Sequence, residues 1–248
     1  MAVLEINGVS KSFDGEKIIN DVSVELQEGE IVALLGVSGS GKTTLFNIIA
    51  GLSAPDSGEV LLDGESIVSK PGKISYMLQK DLLLPYRTIV DNVALPLLIK
   101  GMPKKEARKK AGELFPQFGL SGTEKKYPFQ LSGGMKQRAA LLRTYLFSER
   151  VALLDEPFSA LDMLTKADVH NWYLDIMEEI KLSTLFITHD IDEALFLSDR
   201  IYLLTGKPGT VTKEIVLKNK KRGDKSFSLS VEYLQYKKEI LSHLDENK

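Results

Sequence analysis

The sequence predicts an α/β protein with a mostly parallel sheet, an antiparallel β subdomain at its N-terminal end and an α-helical subdomain inserted into the core. Three observations predict it. Short, wholly apolar runs at Ile31–Leu35, Val151–Leu154 and Leu185–Ile187 read as strands buried on both faces, the mark of a parallel sheet. Helix-length segments alternate with those runs. Between Thr88 and Gly122 that alternation gives way to helical periodicity alone.

Taken in order, Val3–Val9 and Val22–Leu26 are β-type runs separated by the turn signal Asp14-Gly15. Phe13 sits between them, either as ordinary core packing or as a stacking platform for a purine ring. Ile31–Leu35 is followed by Gly36-Val37-Ser38-Gly39-Ser40-Gly41-Lys42-Thr43, a full match to the phosphate-binding loop, with Thr44 entering the next helix. Glycines there let the backbone turn tightly and approach phosphate oxygens. Successive N–H groups and the positive end of the helix opening at Lys42 make an anion site. Lys42 is expected on the β- and γ-phosphates, and the Thr43 hydroxyl on magnesium.

Gly51–Gly58 is a turn-rich break, Glu59–Leu62 a short strand, and Ile74–Leu78 a strand ending at Gln79. Thr88 can cap a helix, and Ala107–Phe118 places apolar residues on one face and lysines on the other. Leu131-Ser132-Gly133-Gly134-Met135 opens a long helix running to Leu146, with Ser132 as its N-cap and first-turn N–H groups uncovered. That is a second anion site of the same physical kind. Asp155 and Glu156 stand at the carboxyl end of Val151–Leu154, where open α/β sheets bind ligands. Thr165–Ile180 reads as a helix, Leu185–Ile187 as a strand ending in Thr188-His189-Asp190, and Ile191–Leu197 as a short helix. Strands at Arg200–Leu204 and Val211–Leu217 follow. Lys218–Lys225 carries five basic residues and reads as a solvated linker; Ser230–Leu244 is a closing helix.

Composition narrows the function. The 248 residues have ordinary apolar (43%) and charged (27%) fractions, so a sizeable core is available. A formal charge of −2 gives no push toward nucleic acid. The absence of cysteine rules out disulfide and thiolate chemistry and suits a reducing compartment. His170, His189 and His243 show no zinc spacing. No apolar run approaches a membrane span and the N-terminus lacks a secretory pattern, so a cytoplasmic location is expected.

With those residues in place, the chain resembles an ATP-binding-cassette (ABC) ATPase subunit over nearly its whole length. The phosphate loop, Gln79, LSGGM-Lys136-Gln137-Arg138, VALLDEP, Ser159-Ala160-Leu161-Asp162 and His189 follow that family's order. The resemblance implies a P-loop NTPase core spanning 1–225, with the helical signature subdomain at about 80–148 and a C-terminal helical extension at 226–248. It implies ATP and Mg2+ as ligands. Asp155 is then the magnesium-holding carboxylate beside Thr43, Gln79 reaches the metal or the water, Glu156 is the catalytic base, and His189 is the γ-phosphate switch. Phe13 takes the adenine-stacking place usually held by tyrosine. Leu131, Ser132, Gly133, Gly134 and Met135 serve the nucleotide of a second copy, and Asp162 crosses the seam.

The expected partners are that second copy, two transmembrane permease subunits and a substrate-binding protein, at the cytoplasmic face of the membrane. Asp81–Thr88 (DLLLPYRT) is similar to a stretch of nitrate, sulfonate and taurine importers, a group that also takes up thiamine precursors; Tyr86 replaces its usual tryptophan. The apolar stretch is either a docking surface for a membrane subunit or plain subdomain core. Ser148-Glu149-Arg150 departs from the family's usual aspartate–proline turn. A soluble nucleotide-dependent switch is the other class of function open to such a chain. A small-molecule kinase would leave LSGGM and His189 without a task.

Overall fold

In the computed structural model, residues 2–148, 150–218, 222–224 and 226–246 are described. Strands β1 (Ala2–Phe13) and β2 (Glu16–Gln27) form an antiparallel hairpin around the Asp14-Gly15 turn. They join β4 (Ser57–Leu62) and β5 (Glu65–Ser66) in an antiparallel sheet of order β2-β1-β4-β5.

The second sheet contains β3 (Ile31–Leu35), β6 (Ser75–Met77), β7 (Val151–Asp155), β8 (Ser183–Thr188), β9 (Arg200–Thr205) and β10 (Thr210–Val216). Its order is β10-β9-β3-β8-β7-β6, and only the β9–β10 pair is antiparallel. Successive side chains of a strand point to opposite faces. Accordingly Ile31, Ala33 and Leu35 enter one apolar cluster, while Val32 and Leu34 enter the other. The second cluster joins this sheet to the antiparallel one and to α1 (Lys42–Ile49). The first joins it to the remaining helices. Each fully buried Leu, Ile or Phe contributes about 1.5–3 kcal/mol, and both faces of β3 collect it.

The segment read as purely helical folds into α2 (Ile89–Val93), α3 (Leu95–Ile99), α4 (Lys104–Glu113) and, beyond a 3-10 turn, α5 (Gly133–Phe147). Thr88 caps α2 by accepting from the Asp91 amide. One boundary differs from the periodicity: α4 ends at Glu113 and does not reach Phe118. Pro116 supplies no amide donor and disfavours helical geometry at Phe115, so Leu114–Phe118 forms turns instead. Phe115 and Phe118 still bury completely, because the turns keep them on the core side. The Asp81–Thr88 stretch divides. Leu83 is buried, whereas Leu82 and Leu84 are exposed and Tyr86 is 93% exposed.

The helices α6 (Met163–Ile180), α7 (Ile191–Leu197) and α8 (Val231–Glu246) complete the chain, and α8 buries Tyr233 and Ile240 in the shared core. Of the basic run at 218–225, positions 219–221 and 225 lie outside the described residues. Arg222 departs from a purely solvated reading: its guanidinium bonds Asp199 and the Gly29 carbonyl. Glu149 also lies outside them, and its neighbour Arg150 makes a bidentate pair with Asp63 at 2.8 and 2.6 Å. Among the described residues no helix is long and apolar enough to cross a membrane.

Candidate nucleotide site

Four adjacent parallel strands, β3, β8, β7 and β6, end on the same side of the sheet. The glycine-rich loop leaves β3, Thr188 and His189 leave β8, Asp155 and Glu156 leave β7, and Gln79 follows β6 by two residues. Carboxyl ends of neighbouring parallel strands are where such sheets hold ligands. A cleft of about 570 Å³ opens there, lined by Ser38, Gly39, Gly41, Lys42, Thr43, Thr44, Gln79, Asp155, Glu156 and His189. Ile18 and Ile187 form its apolar part.

Local packing explains the loop's glycines. A Cβ on Gly36 would lie 2.2 Å from the Leu204 carbonyl oxygen. At Gly41 φ is +87°, and a Cβ would meet Ile19 at 2.4 Å. Gly36 therefore serves close approach, and Gly41 serves both close approach and a left-handed turn. Ser40 is buried and donates to the Val37 carbonyl. The Lys42 ammonium is buried under the loop and donates to the carbonyls of Gly36 (2.9 Å) and Val37 (2.8 Å). Burial holds its pKa below the ordinary lysine value, against the opposing charges of Glu156 and Asp155. Helix α1 starts at Gly41 with no side-chain cap, so its first amides have no side-chain acceptor.

Asp155 is raised above the usual carboxylate range, first by burial and then by the neighbouring Glu156 charge. Thr43 Oγ1 and Tyr76 Oη each lie 3.4 Å from its Oδ2. A hydroxyl and a carboxylate at this spacing form an all-oxygen donor set, which suits a hard divalent cation such as magnesium. A cation there would relieve the like-charge pressure on Asp155, so the residues fit the metal.

Glu156 adopts φ +44°, uncommon for a side-chain-bearing residue and a cost that persists only where surroundings enforce it. Its amide donates to Ile187 at 3.1 Å. Its carboxylate accepts from Gln79 Nε2 at 2.9 Å and lies 3.1 Å from His189 Nδ1. The structure thus brings Gln79, Asp155, Glu156, His189 and the phosphate loop together. Phe13 is not among the residues lining the cleft. Its ring is 48% exposed at the end of β1, with the Lys11 ammonium 5.3 Å from its centroid.

The Leu131–Met135 turn is also absent from that lining. Ser132 is exposed and caps α5, accepting from the Met135 amide at 3.3 Å. Asp162 caps α6 through the Thr165 amide at 3.1 Å. Sequence reasoning passed over Tyr76 and Ile18. A tyrosine inside an otherwise short strand leading to Gln79 was the only available signal for Tyr76, and nothing in the pattern marked Ile18.

A phosphate loop at the end of β3, with a paired Asp–Glu at the end of β7 beside it, defines a P-loop nucleotide hydrolase. The ABC transporter family model matches residues 19–159, and the chain belongs to that family. It is 51% identical over 191 residues to the formylaminopyrimidine import ATP-binding protein of Halalkalibacterium halodurans, covering 77% of this chain and 74% of that one. It is 40% identical over 216 residues to an aliphatic sulfonates import ATP-binding protein of Bacillus cereus, covering 86% and 85%. A dimeric ATP-binding cassette in a post-hydrolysis state, bound to ADP and Pi, superimposes with a TM-score of 0.73 at 31% identity, covering 88% of this chain and all of that one.

Proposed function

We propose that this chain is the ATP-hydrolysing subunit of an ABC importer, working as a pair of copies closed around two Mg-ATP. The observation that carries the reading is the cleft itself. Glu156 is held between Gln79 and His189 beside the phosphate loop, while Ser132 and its glycines open elsewhere on the same chain. Loop amides and Lys42 bind the triphosphate, and phosphoryl transfer then depends on positioning and charge neutralisation. Glu156 takes a proton from the attacking water, and His189 fixes the direction of that carboxylate. Thr43, Asp155 and Gln79 would hold magnesium, which when bound neutralises charge on the phosphates. The second copy supplies Ser132, Gly134 and Asp162. Phe13, half exposed at the end of β1, would stack on adenine.

Permease contact is assigned to an apolar groove of about 260 Å³ whose lining includes Leu52, Ile74, Pro96, Ile99 and Phe147. Leu52 is 62% and Ile99 72% exposed there, an unusual display for a surface with no partner. The cargo, admitted through a substrate-binding protein, is a small heterocyclic or anionic solute of the kind the relatives' names carry. The test is Glu156→Gln. Turnover should fall by about 10³-fold, within the range for removing a general base, while ATP binding persists and light scattering reports an ATP-dependent dimer. A Glu156→Gln protein that stays monomeric with ATP, alone and with the permease, would overturn the paired-copy reading.

A further inference from the structure

The turn that carries His189 is fastened from behind by a polar cluster, Thr188, Glu193 and His170, that lies outside the cleft's lining. Glu193, on the first turns of α7, is 4% exposed. Thr188 Oγ1 donates to its Oε2, and His170 Nε2, on α6, lies 3.1 Å from its Oε1. The same Thr188 oxygen accepts from the Asp190 amide at 3.0 Å. Asp190 caps α7 through the amides of Asp192 and Glu193, and its other oxygen accepts from Lys166 at 2.7 Å. His189 therefore stands between two residues that are each held by side chains, Thr188 by Glu193 and Asp190 by Lys166. Its own ring is 59% exposed and meets protein chiefly through Glu156. The ring is thus exposed to the cleft while the backbone beneath it is held on both sides.

Burying a carboxyl group is costly unless it is fully partnered. The cost is met here by three side chains from β8 and α6, converging on one residue of α7. His170 continues the connection, its ring packing edge-on against Phe158 at 4.7 Å, two residues beyond Glu156. Glu193 thus reaches both segments that form the His189–Glu156 contact.

We infer that Glu193 is a positioning residue for ATP hydrolysis: by holding Thr188 from the interior it sets where His189 meets Glu156. This rests on the ATPase reading above. The experiment is steady-state and single-turnover ATPase on the full chain for Glu193→Ala, Glu193→Gln and Thr188→Val, each also in a His189→Ala background. Glu193→Ala and Thr188→Val should lower kcat by about tenfold, with KM for ATP unchanged, the size seen when supporting shells are removed. Glu193→Gln should recover most of the rate, since its amide oxygen accepts from Thr188 in the same place. In the His189→Ala background Glu193→Ala should cost nothing more, because the two act in series. A wild-type kcat for both Glu193→Ala and Thr188→Val would overturn the inference, and so would an undiminished loss in the His189→Ala background. If Glu193→Ala does not fold, Thr188→Val, which keeps the side chain's shape, decides alone. Absence of hydrolysis by the wild-type chain would instead remove the ATPase reading beneath it.

Discussion

Two helices of this chain begin at glycine-rich turns, and they begin differently. Helix α1 has no side-chain cap, and its turn lies against a lysine, two carboxylates, a glutamine and a histidine. Helix α5 is capped by its own Ser132, and none of those groups lines its turn. The first start opens into the cleft that holds the lysine and both carboxylates, whereas the second lies outside that lining. Uncapped N–H groups carry a standing cost that a bound anion removes. The contrast fits the paired-copy proposal, in which the first start holds the chain's own nucleotide and the second is presented to the nucleotide of a second copy.

The strongest way to break that contrast is to disable each start separately. Lys42→Ala should weaken ATP binding by about a hundredfold, from the roughly 1.5–3 kcal/mol attached to a hydrogen bond with a charged partner. Ser132→Arg should leave the affinity of the isolated chain unchanged, by calorimetry with ATP, yet abolish hydrolysis. At an ATP concentration too low to load the Lys42→Ala copy, each protein alone should be inactive and mixing the two should restore activity. A mixed pair contains one intact site, the loop of the Ser132→Arg copy facing the Ser132 turn of the Lys42→Ala copy. Failure of the mixture, with both variants folded and dimerising, would place both ends of the same chain on one nucleotide.

A smaller effect separates the glycines of the two starts. Gly36→Ala forces a Cβ to within 2.2 Å of the Leu204 backbone oxygen, which cannot rotate away. Overpacking of that kind costs about 1–3 kcal/mol, read as a lowered melting temperature together with weaker ATP binding. Gly134→Ala meets only the methyls of Val169 and Thr165, at 3.1 and 3.2 Å, and gains helix propensity. Its stability should change by less than about 1 kcal/mol, so any fall in turnover reports the approach of the second copy's nucleotide. Equal melting-temperature losses in both variants would remove the distinction.

The same contrast shows what the sequence made legible. The loop, the Ser132 cap and the ends of β7 and β8 were readable because glycine, serine and all-apolar runs have local causes. Helix α7 matched its predicted Ile191–Leu197 bounds because Asp190 caps it locally. The Glu193 cluster was invisible, since periodicity does not say which acidic residue of Asp190-Ile191-Asp192-Glu193 turns inward. That choice belongs to Thr188 and His170, which lie 5 and 23 residues away. Leu83 and Leu82 likewise looked alike in sequence and differ only once α2 and α5 are packed.

The smallest effect concerns Asp162, which caps α6 at the point expected to meet the second copy. Its carboxylate is held below the ordinary value of 3.8 by hydrogen bonds from the Thr165 side chain and amide. A pKa depressed in the folded state means that the carboxylate contributes stability above the unfolded value and loses it as pH falls through the folded one. Asparagine caps helices about as well but carries no charge. The melting temperature of the wild type should therefore exceed that of Asp162→Asn at pH 7 and converge with it as the pH drops below about 4. If the gap persists undiminished at pH 3, the cap does not depend on charge. Hydrolysis at pH 7 then gives the second half of the argument: a rate lowered in Asp162→Asn while stability barely changes assigns the carboxylate a task across the seam, and an unchanged rate leaves it a helix cap alone.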